Sequence, residues 1–263
     1  MIVTWGPDPI IFSFGFLTMR WYGLFFASAF ITGGILGHWI LQRESKPPES
    51  LDRIMLHMII GTIVGARLGH CFFYEPGYYL SNPLEILKIW QGGLASHGAA
   101  VGIVLAFYLY ARKTPDQPFL WIMDRVGITS AIGAALIRMG NLFNSEIVGK
   151  PTTGDWGMIY KRLDMIPRHP TQIYESLAYL TIFIILVLLY LRKDFANRPG
   201  FLFGMTFLLL LPARLTIEFF KENQSAFEEG WLLNMGQLLS IPFMLLGVYL
   251  VFRSLRNPAG LSQ

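Results

Sequence analysis

The chain reads as an all-α integral membrane protein. Seven transmembrane helices and an outer-face cap are predicted, with the N-terminus outside and the C-terminus in the cytoplasm. Three observations predict this. The 263 residues are 53% hydrophobic and only 14% charged, with a mean hydropathy of +0.46, whereas a soluble domain carries about 25% charged residues. Seven apolar segments approach the ~20 residues that cross a bilayer as helix. Lys and Arg, finally, are distributed unevenly between the loops.

The segments run, in order, over residues 20–41, 54–74, 93–112, 119–140, 173–191, 201–220 and 236–253. Residues 1–19 contain no Lys or Arg, so no basic n-region of a cleaved signal peptide is seen and the first segment is expected to remain as a helix. Gly33, Gly34 and Gly37 in the first segment, Gly61, Gly65 and Gly69 in the second, Gly98 and Gly102 in the third and Gly133 in the fourth let helices approach closely. Asp124 and Arg125 make the start of the fourth the least defined. Pro170 and Glu175 are helix-start signals for the fifth. Between the fourth and fifth, residues 141–172 are too long for a simple connector. Trp156, Tyr160, Pro167, His169 and Pro170 make this stretch an ordered cap within one polytopic domain spanning 1–263.

Orientation follows from cation counts. The loops after spans one, three and five and the C-terminal tail hold ten Lys and Arg; the opposite side holds seven, four of them in 141–172. A long folded loop counts little for topology, so the ten-residue side is the cytoplasmic one.

Composition also excludes function classes. A net charge of +4 suits an anionic membrane surface but is too weak and dispersed for nucleic acid. The single cysteine, Cys71, excludes an internal disulfide and sits in an apolar stretch, as an inert packed thiol does. No His, Asp and Glu set has metal-ligand spacing, and neither metal nor cofactor is expected.

The polar residues at bilayer depth carry the chemistry. Arg67, Arg125, Arg138 and Arg214 lie inside predicted spans. Each costs roughly 2.5–3.5 kcal/mol on insertion scales and persists only with partners, water or an anionic ligand. Arg138 and Asn141 share a helix face, and Asn144 and Glu146 follow at the exit. This block reads as a phosphate clamp with amide donors, or as an Arg138–Glu146 pair that pins the loop. Arg214 and Glu218, four apart, read as a second anion grip or as an in-helix ion pair. Arg67 is expected to meet a carboxylate from another helix, a ligand role being the alternative. In Gln91-Gly92-Gly93-Leu94-Ala95-Ser96-His97-Gly98, a Gly-rich helix start presents N–H donors and an imidazole. His97 is there either a base or a bond to a neighbouring helix. Arginine at such depth also serves transporters of anionic solutes, but no inverted repeat is visible here.

Taken together and in order, several blocks resemble the phosphatidylglycerol–prolipoprotein diacylglyceryl transferase family. They are Arg20-Trp21-Tyr22-Gly23, Gly65-Ala66-Arg67-Leu68-Gly69, Gly92-Gly93-Leu94-Ala95-Ser96-His97-Gly98, and Arg138-Met139-Gly140-Asn141-Leu142-Phe143-Asn144-Ser145-Glu146 with Gly149. Arg168-His169-Pro170-Thr171-Gln172-Ile173-Tyr174-Glu175, Arg214-Leu215-Thr216-Ile217-Glu218-Phe219 and Gly236-Gln237-Leu238-Leu239-Ser240 complete the set. The resemblance implies a bacterial inner-membrane enzyme active toward the outer face. Its partners are phosphatidylglycerol, preprolipoprotein signal peptides with a lipobox cysteine, and the surrounding membrane lipids. The family's functional residues fall on Tyr22, His97, Arg138, Asn141, Glu146, Gly149, Arg214 and Glu218. In the implied mechanism His97 is the base, Arg138 and Arg214 clamp phosphate, Asn141 and Tyr22 orient it, and Glu146 and Glu218 hold the arginines. The chain departs from the family at His70, where relatives usually carry Tyr, and at Leu210, a place often held by Tyr.

Overall fold

A computed structural model describes residues 1–15, 17–222 and 235–256 of the chain. Short strands β1 (Ile2–Trp5), β2 (Ile10–Phe14) and β3 (Leu17–Arg20) precede the helices α1 (Trp21–Arg43), α2 (Glu49–Phe73), α3 (Pro76–Ser81), α4 (Ser96–Lys113) and α5 (Phe119–Asn144). Strands β4 (Gly157–Tyr160) and β5 (Pro167–Arg168) then lead into α6 (Thr171–Leu191), α7 (Lys193–Ala196), α8 (Phe201–Glu218) and α9 (Met235–Arg256). The fold is mostly helical with little sheet. Six described helices are long and apolar enough to cross a membrane: α1, α2, α5, α6, α8 and α9. The third predicted span is α4, an 18-residue helix outside that set. Its apolar centre is flanked by Ser96 and His97 at one end and Arg112 and Lys113 at the other.

The chain divides into two compact units, residues 37–122 and the remainder. In the first of these, α2 and α4 meet backbone to backbone. A Cβ on Gly65 or Gly98 would run into the other's carbonyl oxygen, and one on Gly61 would lie 2.7 Å from the Gly102 oxygen. Glycine is needed because the helix axes approach within the space a methyl would fill. Cys71 is fully buried.

Arg67 corrects an expectation. Its guanidinium meets main-chain carbonyls rather than a carboxylate, donating to Glu85 at 2.6 Å, Ile86 at 2.9 Å, Gly92 at 2.6 Å and Gly93 at 3.3 Å. The physical reason is that residues 83–91 form only two short 3₁₀ helices and Gly92 and Gly93 none, so carbonyls here are left needing donors, and a planar fork of five N–H groups supplies them. Gly92 and Gly93 adopt positive φ, and a Cβ on Gly93 would lie 2.8 Å from Arg67 Nη1.

In the other unit, β1 pairs in parallel with β4, from Ile2 opposite Gly157 to Trp5 opposite Tyr160, and β4 pairs antiparallel with β5. The stretch between α5 and α6 is thus folded onto the first residues of the chain. Leu142, Val148, Met158 and Tyr160 form its core, with Trp5, Met139 and Ile173 packed against them. Trp5 Nε1 donates to the Leu142 carbonyl at 3.0 Å. At the opposite end of α5, Asp124 accepts from the N–H groups of Gly200 and Phe203, both at 2.8 Å, and so caps the start of α8. Arg125 stands beside it, 3.8 Å from the Asp124 carboxylate.

Candidate active site

The site grows from the way α5 ends. Ser145 takes a left-handed φ of 57°. The Glu146 N–H returns to the Asn141 carbonyl at 3.0 Å and the Ser145 N–H to Leu142 at 3.1 Å. This is a Schellman turn with serine where glycine is usual. Ile147, a β-branched residue, also has φ of 57°. Such backbone costs about 1–3 kcal/mol per residue and persists only where neighbours over-determine it. Here Gln172 Nε2 donates to the Glu146 carbonyl at 2.6 Å and Thr171 Oγ1 to the Ile147 carbonyl at 3.0 Å. Tyr160 in turn donates to Gln172 Oε1 at 2.8 Å. Burial pushes the Tyr160 hydroxyl above its usual range, keeping it a donor.

The turn brings Glu146 back over α5. Its carboxylate accepts from Asn141 Nδ2 at 3.3 Å and Asn144 Nδ2 at 3.2 Å. Asn141 Oδ1 accepts from Arg138 Nη1 at 3.2 Å. Arg138 and Glu146 are therefore joined through Asn141 and are not a direct ion pair. The carboxylate against Arg138 is instead Glu175 of α6, with Oε2 2.9 Å from Nε. Glu175 is fully buried. Its Oε1 accepts from Lys221 Nζ at 2.8 Å and from the Tyr179 hydroxyl at 3.1 Å.

Lys221 continues the chain of charges. Its ammonium lies 3.2 Å from Glu218 Oε2, and Arg214 Nε lies 4.0 Å from the same oxygen. Arg214 is the exposed end, 44% accessible, whereas Arg138 is 19% accessible. Two arginines on different helices thus close a run of alternating charge, Arg138–Glu175–Lys221–Glu218–Arg214. Such a run holds guanidinium groups in place while leaving N–H donors for an anion.

Against this geometry the comparisons are decisive. A family model described as prolipoprotein diacylglyceryl transferase matches residues 9–253. The chain belongs to that family. A protein of Chloroherpeton thalassium named phosphatidylglycerol–prolipoprotein diacylglyceryl transferase is 46% identical over 255 residues, covering 97% of this chain and 95% of the relative. One of the same name from Tolumonas auensis is also 46% identical, over 97% of this chain and 98% of its own length. A third, from Porphyromonas gingivalis, is 43% identical over 97% of this chain and 96% of its own.

The positions expected of the prolipoprotein diacylglyceryl transferase family are distributed as follows. Arg138, Asn141 and Glu146 touch in sequence, and Arg214 and Glu218 join them through Lys221 and Glu175. Tyr22 lies against the backbone of α5, where a Cβ on Gly140 would be 2.9 Å from its ring. Gly149 is enclosed: a Cβ there would strike His169 and lie 2.9 Å from the Phe220 carbonyl. His97 belongs to the other unit, exposed in the first turn of α4, its ring 5.3 Å from Phe73 and 5.8 Å from Tyr74. Among the described residues no group of three His, Cys, Asp or Glu side chains comes together.

Sequence reasoning missed Glu175 and Lys221. Glu175 was legible as a helix-start residue only, yet Thr171, Gln172, Glu175 and Tyr179 recur at helical spacing and are all buried. A polar stripe on one face of an otherwise apolar span was the available signal. Lys221 carried no such mark. Nearby, Arg168 grips Asp164 at 2.6 Å and Glu222 at 3.0 Å. The pairing holds the Asp164 carboxyl below its usual range, and burial holds the His169 ring below its own.

Proposed function

We propose that this protein transfers the diacylglyceryl group of phosphatidylglycerol to the thiol of a prolipoprotein, the acceptor being the lipobox cysteine of the signal peptide. The observation that carries the site assignment is the charge run ending on Arg138 and Arg214. The thiol sulfur attacks a glycerol carbon of the lipid. A carbon–sulfur bond forms, the carbon–oxygen bond to phosphate breaks, and glycerol phosphate leaves with the bonding electrons. The leaving group gains negative charge, and preorganised guanidinium donors stabilise charge that develops in a transition state. In this reading Arg138 and Arg214 meet the phosphate oxygens, with Tyr22 and Asn141 as orienting donors. Glu218 orders Arg214, and Glu146 acts on Arg138 through Asn141. Gly149 packs the chain around them.

A thiol of ordinary pKa, ~8.5, is mostly protonated at neutral pH. His97 takes its proton. The Gly-rich start of α4 and the motif around His97 support this role. The transfer needs no metal, because the arginines already supply positive charge.

For the membrane arrangement we read α4 as the seventh span. The cation bias supports an N-terminus and a 141–172 cap on the outer face, and we read the whole chain as one polytopic domain of the bacterial inner membrane. A reporter active only outside the cytoplasm should work when fused after Ser81 and fail after Arg112; the reverse pattern overturns the orientation. For the reaction, purified protein is given phosphatidylglycerol and a lipobox peptide. A mass gain of one diacylglyceryl group on the peptide cysteine is expected. Anion flux without that product would make the arginines a transport path instead.

A further inference from the structure

Lys221 is 4% exposed, three residues beyond the end of α8, and absent from every role assigned above. Its Nζ bridges two carboxylates, Glu175 at 2.8 Å and Glu218 at 3.2 Å. Each of those carboxylates faces a different arginine, Arg138 and Arg214.

Main-chain pairing seats this ammonium. Gly149 forms an antiparallel bridge with Lys221, the Lys150 N–H donates to the Phe220 carbonyl at 2.8 Å, and the Glu222 N–H to Val148 at 3.3 Å. On its other side the Gly149 N–H donates to the His169 carbonyl at 3.0 Å. Three stretches of chain therefore converge where a Cβ has no room.

From this we infer that Lys221 is a positioning residue that couples the two arginines of the anion site, and that Gly149 is required because it seats Lys221. The inference rests on the reading of Arg138 and Arg214 as the phosphate grip. A carboxylate with one arginine as its sole cation draws that guanidinium into a two-pronged pair and consumes its donors. With Lys221 on Glu175 Oε1, Arg138 meets Oε2 as an ion pair, Nε at 2.9 Å, and makes no hydrogen bond to it. Its Nη2 makes no hydrogen bond among the described residues. The lysine thus leaves that donor for an anion. Contacts to two carboxylates hold the lysine side chain in place.

The experiment measures diacylglyceryl transfer to a lipobox peptide from phosphatidylglycerol in nanodiscs. Native protein is the control: no product there fails the functional reading itself. Lys221→Met keeps length and removes charge. It is expected to lower kcat/KM for phosphatidylglycerol about 10²-fold, the scale of an ångström-sized misplacement. The KM for the peptide should stay put. Lys221→Arg, which keeps the charge, should recover most of the loss. Gly149→Ala should share the Lys221→Met defect. If Lys221→Met unfolds, Lys221→Gln, which keeps a hydrogen-bond donor for the two carboxylates without the charge, decides. A merely structural lysine predicts native turnover in Lys221→Gln, which would overturn the inference. Turnover in Lys221→Met within threefold of native would overturn it too, as would a native-like Gly149→Ala for the glycine.

Discussion

Arg138 Nε lies 2.9 Å from Glu175 Oε2, and Glu175 has no exposed surface. An arginine on α5 is thus ordered by a carboxylate on α6, and the same carboxylate binds Lys221. Removing one partner of a buried pair costs far more than the pair contributes, because a charge is left uncompensated. Glu175→Gln is therefore expected to lower stability by about 3–5 kcal/mol. It should also reduce transfer, since Arg138 loses its anchor. Thermal unfolding in detergent, alongside the transfer assay, checks both. A native melting temperature would show that the carboxylate is not what holds the two cations.

Arg138→Lys and Arg214→Lys separate charge from shape. Lysine keeps the positive charge and loses the planar fork of donors. Severe loss of transfer is expected in both, with lipid binding weakened. Full activity in both variants would leave the arginines as structural pairs alone.

His97 is expected to act through its titratable ring. His97→Gln keeps hydrogen bonding without basicity and should lower turnover about 10²–10⁴-fold, the range of general-base catalysis. Binding of phosphatidylglycerol should survive. Near-normal turnover across neutral pH would reassign His97 to orientation.

The pH dependence of stability is set in the stretch between α5 and α6. The folded His169 ring is held below its ordinary 6.5 by burial, so it favours the neutral form. Its contribution is complete above that ordinary value and is lost as pH falls through the folded one. Asp164, held below 3.8 by Arg168, adds a second loss at still lower pH. Acid should therefore destabilise this stretch in two steps. His169→Gln should remove the first step and Asp164→Asn the second, read from melting temperature against pH. A first step that persists in His169→Gln would assign it to another group.

Arg67→Lys should loosen residues 85–93, because one ammonium cannot serve four carbonyls arranged around a planar fork. Faster amide hydrogen exchange there, with α2 still protected, is the expected readout. Unchanged exchange would show that the carbonyls find other donors.

Hydropathy and length located, to within about five residues, the six described helices long and apolar enough to cross a membrane, because such a helix announces itself through local composition alone; the seventh predicted span fell on α4, which is outside that set. The four arginines stood out for the same reason: a charge in an apolar run is conspicuous wherever its partner lies. The turn at Ser145, by contrast, was invisible, since serine gives no sign of a left-handed backbone. The parallel pairing of β1 with β4 joins residues far apart in sequence and follows from the shared core around Tyr160 and Leu142.

What the sequence by itself determined was where charge sits along the chain and which family pattern it follows. Which partner each charge meets was decided by tertiary structure. Spacing nominated Glu146 for Arg138 and a carboxylate for Arg67; packing delivered Glu175 to the first and a ring of carbonyls to the second. Ion pairing falls off over a few ångströms, so it depends on how helices are rotated and where chains cross. That is why Lys221, unremarkable in the sequence, stands at the centre of the charge run: only the close approach permitted by Gly149 puts it between Glu175 and Glu218.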